Sequence, residues 1–171
     1  MFRTRAILFY WLPVGIWMWL IFTASGDTQS YQHSSHLLGP FLHWLFPFLS
    51  QQATDVMILC ARKCAHLTEY AVLSLLLWRA LRNTSAQPQL IPDATDGDSG
   101  LVAPKRSAAG WSWAHARISV LIVMLYAATD EFHQLFVTSR DAAVHDVLLD
   151  TAGGLAGILF LWALGRWRKL W

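Results

Sequence analysis

The sequence predicts an all-α integral membrane protein: a four-helix bundle with both termini cytoplasmic and a short interfacial helix after the first span. Three observations carry this. Of 171 residues, 55% are apolar and 14% charged, with ten tryptophans and a mean hydropathy of +0.36, whereas soluble domains are roughly one quarter charged. Four stretches reach membrane-spanning length. Lysine and arginine gather in flanks that a four-span topology puts on one side. The composition excludes a disordered chain or a coiled coil. Thirteen Lys and Arg against eleven Asp and Glu give a formal net charge of +2, without a basic stripe interleaved with aromatics, so nucleic acid is not an expected partner. The length suits one domain over residues 1–171.

The first span covers about residues 6–26, which hold no charged side chain and at ~1.5 Å per residue cross the ~30 Å hydrocarbon core. Arg3 and Arg5 before it and Ala24-Ser25-Gly26 after it also suit a cleavable signal. The apolar run exceeds the ~7–15 residues of a signal core, which favours an uncleaved anchor. Residues 27–54 join a polar stretch, Asp27 to Ser35, to an aromatic one, Phe41 to Phe46, closed by Pro47. An interfacial helix and a folded loop both suit that pattern.

The second span, about 56–81, reaches membrane length only by including Arg62, Lys63, His66 and Glu69. Residues 83–114, with Pro88, Pro92, Pro104, Gly97, Gly100 and Gly110, read as a flexible cytoplasmic linker. The third span, about 118–137, carries Asp130-Glu131-Phe132-His133-Gln134, and a tight connection with Arg140 follows. The fourth, about 146–165, contains Gly153-x-x-x-Gly157, a spacing that lets membrane helices approach closely. Cys60 and Cys64 lack the two-residue spacing of redox or zinc motifs and read as small packing residues.

Arg3 and Arg5, then Arg79, Arg82, Lys105, Arg106 and Arg117, then Arg166, Arg168 and Lys169 flank the cytoplasmic ends, while 27–54 holds no Lys or Arg. In that orientation Glu69, Asp130 and Asp150 each lie ~6–10 Å inside the outer edge. Helical period puts Arg62, His66, Glu69 and Tyr70 on one stripe, Asp130, His133 and Gln134 on a second, and Asp146, Asp150, Gly153 and Gly157 on a third, with Glu131 about 100° off the second. Arg62, Lys63 and Arg140 oppose five carboxylates: Glu69, Asp130, Glu131, Asp146 and Asp150. A divalent metal, protonated His66 and His133, or protonated carboxylates would restore balance. Membrane hydrogen bonds contribute below ~1 kcal/mol each, against at least ~2.5 kcal/mol per charge buried at depth, so a purely structural network is the less expected reading.

Three blocks resemble the VanZ-like membrane proteins: Arg62-Lys63-x-x-His66-x-x-Glu69-Tyr70, Tyr126-Ala127-x-x-Asp130-Glu131-x-His133-Gln134 through Arg140, and Asp146-Val147-x-x-Asp150-Thr151-x-Gly153-x-x-x-Gly157. The resemblance implies a small multi-pass protein of the bacterial inner membrane, in a family whose founding member is linked to teicoplanin resistance. It supplies no reaction. Where family members carry Pro-Gly before the arginine, this chain has Thr138-Ser139.

Three functions suit these residues. In an enzyme acting on a lipid-linked envelope precursor at the outer leaflet, Arg62, Lys63 and Arg140 would hold an anionic headgroup, with Tyr70, Gln134, Asp146 and Asp150 completing the binding layer. Glu69, Asp130 or Glu131 would act as acid or base, and His66 and His133 would move protons or bind metal. His66, Glu69, Asp130 and His133 are the candidate metal ligands, paired one turn apart on two helices. In a non-catalytic protein the same layer would bind or shield a lipid or glycopeptide headgroup; no Ser-His-Asp or Cys-His arrangement is evident. A proton-coupled transporter is less expected, because no inverted repeat is visible.

Overall fold

The computed structural model describes residues 2–25, 30–85, 110–136 and 144–171, with side chains from Ile7 and Ser35 onward in the first two stretches. Among these residues all regular structure is helical: α1 Phe2–Ser25, α2 Ser30–Leu45, α3 Gln51–Ser85, α4 Trp113–Gln134 and α5 Val144–Trp167. Each expected span corresponds to a helix, α1, α3, α4 and α5 in turn. Residues 27–54 resolve towards a helix, α2.

Helix ends follow local chemistry. Ser50 starts α3: its carbonyl accepts from Thr54 N at 3.0 Å and its hydroxyl from Ala53 N at 3.3 Å, the two bonds of an N-cap. Pro47 separates α2 from α3. Ser112 caps α4 through a bond from His115 N. Helix α3 runs to Ser85 and α4 starts at Trp113, inside both ends of the linker expected over 83–114; residues 86–109 of that linker lie outside the described residues. The 35 residues of α3 span ~52 Å, well beyond a hydrocarbon core.

At its C-terminus α5 closes with Leu170 N bonding Gly165 O at 2.9 Å and Lys169 N bonding Arg166 O at 3.2 Å. Lys169 takes a positive φ of 52°, the left-handed geometry of a Schellman turn. The turn lays Trp171 over Gly165 and against Trp78 and Trp111, whose rings stack at 5.1 Å. Arg82 sits over Trp78 and Trp171, so one end of the bundle is an aromatic and arginine belt.

Helix α3 is central, packing against each of the other four. Its tightest partner is α5. A Cβ added at Gly153 would lie 2.5 Å from the Leu67 carbonyl oxygen and 2.9 Å from its Cα, and one at Gly157 2.8 Å from the Ala71 oxygen. Two backbones thus touch where side chains would normally keep them apart. Gly154 faces α4, where an added Cβ would lie 2.8 Å from a Val123 methyl. Val14, Ile21, Tyr70, Leu73, Leu77, Val123 and Ala127 fill the core between α1, α3 and α4.

Among the described residues, two helices, Ile7–Ser25 and Val144–Trp167, are long and apolar enough to cross a membrane by length and composition. Helices α3 and α4 turn polar groups inward, burying Ser74, Ser119, Asp130, Glu131 and Gln134, while Leu8, Phe9, Trp19, Leu125 and Phe160 stay exposed. Cys60 and Cys64 are exposed and unbonded. They do not pack between helices, so the sequence expectation for them is corrected.

The two kinds of glycine contact should behave differently. Gly153→Ala and Gly157→Ala press a methyl on backbone that cannot yield, and each should cost ~2 kcal/mol or more, whereas Gly154→Ala meets a side chain and should cost less. Thermal unfolding in detergent checks the order; a Gly154→Ala protein less stable than Gly153→Ala would contradict it.

Candidate functional site

The end of the bundle opposite the tryptophan belt collects polar side chains from α1, α3, α4 and α5. Asp130 on α4 is their hub. It is 2% exposed, and its Oδ2 accepts from Ser25 Oγ at 2.7 Å, from Gln134 Nε2 at 3.3 Å and, more weakly, from Tyr70 OH at 3.5 Å. Gln134 also donates to Ser25 Oγ at 2.8 Å, closing a triangle. Oδ1 of the same carboxylate is buried with no hydrogen-bond partner. A buried acceptor left open in this way has capacity for one more donor.

Sequence reasoning missed Ser25. The residue ends an apolar helix inside Ala24-Ser25-Gly26, a tripeptide whose small residues suggest a processing site, and its hydroxyl carries no charge to mark it. Its signal was its position, since a lone hydroxyl at the polar-layer end of a span should find a partner there. Aromatic donors hold α1 as well: Trp17 Nε1 donates to the Glu69 carbonyl at 2.9 Å, and Tyr126 OH to the Met18 carbonyl at 2.6 Å.

The single stripe expected on α3 divides among its neighbours. Tyr70 is fully buried towards Asp130. His66 lies between two carboxylates, its Nδ1 3.9 Å from Glu69 Oε2 and 4.0 Å from Asp150 Oδ1 of α5. Lys63 forms an ion pair with Asp146 of α5, and His145 Nε2 approaches the same carboxylate at 3.4 Å from an exposed position. Glu69 turns towards α1, lining a cleft of about 400 Å³ with Trp17, Leu20, Ile21, Thr23 and Ala24.

On α4, Glu131 is buried at 7% exposure, although helical period set it off the polar stripe. Neither Glu131 nor Arg62 lacks a partner. His133 stacks on Phe22 of α1 at 4.3 Å, and its Nδ1 is buried without a hydrogen-bond partner. Arg140 lies outside the described residues.

Among the described residues, no three His, Cys, Asp or Glu side chains are grouped to hold a metal ion. Of the four candidate ligands, His66 and Glu69 neighbour each other, while Asp130 binds Ser25 and His133 packs on Phe22. What the arrangement does offer is a covered carboxylate with one open oxygen, a histidine between two acids, and an apolar cleft beside them.

The model of the VanZ/LLP1 family matches residues 9–165, taking in α3, α4 and most of α1 and α5. Comparison with curated proteins and with solved structures finds no match.

The Lys63–Asp146 pair tests the electrostatics. Both side chains are partly exposed, at 36% and 24%, so Lys63→Met should cost only ~1–2 kcal/mol by stranding the acid. Lys63→Met with Asp146→Leu should recover most of that loss. Denaturant titration of the three proteins checks this; a double variant less stable than Lys63→Met would contradict it.

Proposed function

Because the chain belongs to the VanZ/LLP1 family, we propose that it is an integral protein of the bacterial inner membrane that acts on a lipid-linked or anionic envelope component at the outer leaflet. Four crossings by α1, α3, α4 and α5, with both termini cytoplasmic, put the polar layer in the outer half of the bilayer. Two apolar helices, the inward polar groups of α3 and α4 and the one-sided basic flanks support that topology. A link to glycopeptide resistance belongs to the same reading and rests on family membership alone.

One observation carries the site. Side chains from three helices converge on the buried Asp130, whose Oδ1 is left without a donor. A substrate hydroxyl or amine would complete that carboxylate, and the carboxylate would orient it or take its proton. His66, between Glu69 and Asp150, is the group suited to pass the proton on. Arg62 and Arg140 would hold the anionic part of the headgroup, and Glu131 and His133 would flank the reacting group.

A second reading, binding without chemistry, is favoured by the Lys63–Asp146 pair and the Ser25–Gln134–Asp130 triangle, which satisfy one another internally. In that case the layer recognises or shields a headgroup.

Mass spectrometry of envelope lipids from cells with and without the protein separates the two, with Asp130→Asn as inactive control. An enzyme changes at least one lipid species, and Asp130→Asn abolishes the change; identical profiles favour binding. For topology, a reporter fused after Ser50 is expected on the outer face, and a cytoplasmic reporter would overturn the orientation.

A further inference from the structure

The cleft between α1 and α3 is the feature that the preceding reading uses least. Its α1 wall is apolar or nearly so, formed by Trp17, Leu20, Ile21, Thr23 and Ala24, and the residue facing them from α3 is Glu69. At about 400 Å³ it falls in the ~300–1,000 Å³ range of small-molecule sites. Trp17 fastens its floor by donating to the Glu69 carbonyl. Leu20 in its wall keeps 43% of its surface exposed, and the cleft is open to its surroundings.

Charge decides what suits this cleft. The Glu69 side chain keeps 33% of its surface exposed, in a wall that is otherwise apolar. A carboxylate facing hydrocarbon is costly and needs a cation or donor. His66 cannot meet that need alone, because it is shared with Asp150 at about the same distance, 3.9 Å against 4.0 Å, and one imidazolium proton does not balance two acids. Lys63 is occupied by Asp146. The α1 wall, for its part, suits an acyl or prenyl chain.

We infer that the α1–α3 cleft binds a membrane lipid through its chain, with a primary ammonium headgroup set against Glu69. The inference rests on the membrane reading above and adds to it, beside the Asp130 site, a lipid contact whose headgroup donates N–H bonds. An ammonium with three donors can bridge the Glu69 carboxylate and a neighbouring acceptor. A quaternary ammonium supplies charge without donors, and an anionic headgroup would be repelled.

The test uses the full chain in nanodiscs of equal parts phosphatidylethanolamine, phosphatidylcholine and phosphatidylglycerol. Native mass spectrometry then reads the lipids that stay bound. Phosphatidylethanolamine should be retained about fivefold or more over either other lipid. Glu69→Gln should abolish that preference, and Leu20→Trp, which fills the cleft, should reduce retention of every lipid. Equal retention of the three lipids, or a preference unchanged in Glu69→Gln, overturns the inference. Asp130→Asn should keep the preference while losing any lipid modification. Failure here with an altered envelope profile intact would remove the cleft's role and leave the proposed function standing.

Discussion

A carboxylate that is 2% exposed inside a helical bundle must be surrounded by donors, and the polar half of the molecule is arranged around that need at Asp130. An unpaired buried charge is among the most destabilising features a protein can carry. Ser25 and Gln134 meet the requirement at hydrogen-bond distance, with Tyr70 at its limit. Because these donors come from α1, α4 and α3, satisfying one side chain fixes three helices relative to each other. Helix α1, apolar along nearly all its length, acquires a defined rotation and height from its last residue.

Close backbone contact provides the complementary constraint on α5. With Gly153 and Gly157 against Leu67 and Ala71, α5 approaches α3 near enough for Asp150 to come within 4.0 Å of His66 and for Asp146 to pair with Lys63. Bulkier residues at those glycines would separate the helices and with them the acids from their partners. Packing and electrostatics are thus coupled along one interface, and the glycines serve contact within the chain.

Much of this was legible in the sequence because charge inside an apolar segment is rare enough to be conspicuous. The four long helices followed from hydropathy, and the approach of Tyr70 and Gln134 to Asp130 and of His66 to Asp150 is compatible with the helical period. Three features were hidden. Ser25 has an uncharged side chain that resembles its small neighbours. The division of the α3 stripe depends on α3 being surrounded, so that residues one to four positions apart face different helices: Glu69 meets α1, Tyr70 meets α4 and His66 meets α5. The extension of α3 to Ser85 reflects helix-compatible polar residues, Asn83 and Thr84, whose side chains bond the carbonyls of Arg79 and Ala80; hydropathy does not register them.

The account stands or falls on whether Asp130 holds α1 in place. A double-mutant cycle of Ser25→Ala and Asp130→Ala, followed by denaturant unfolding in detergent, measures that link directly. For a buried hydrogen bond to a carboxyl group the coupling energy should be ~1–3 kcal/mol. Strictly additive losses, with coupling below ~0.3 kcal/mol, would mean that α1 is held by the Trp17 and Tyr126 hydrogen bonds and apolar packing without Asp130 and would contradict the account.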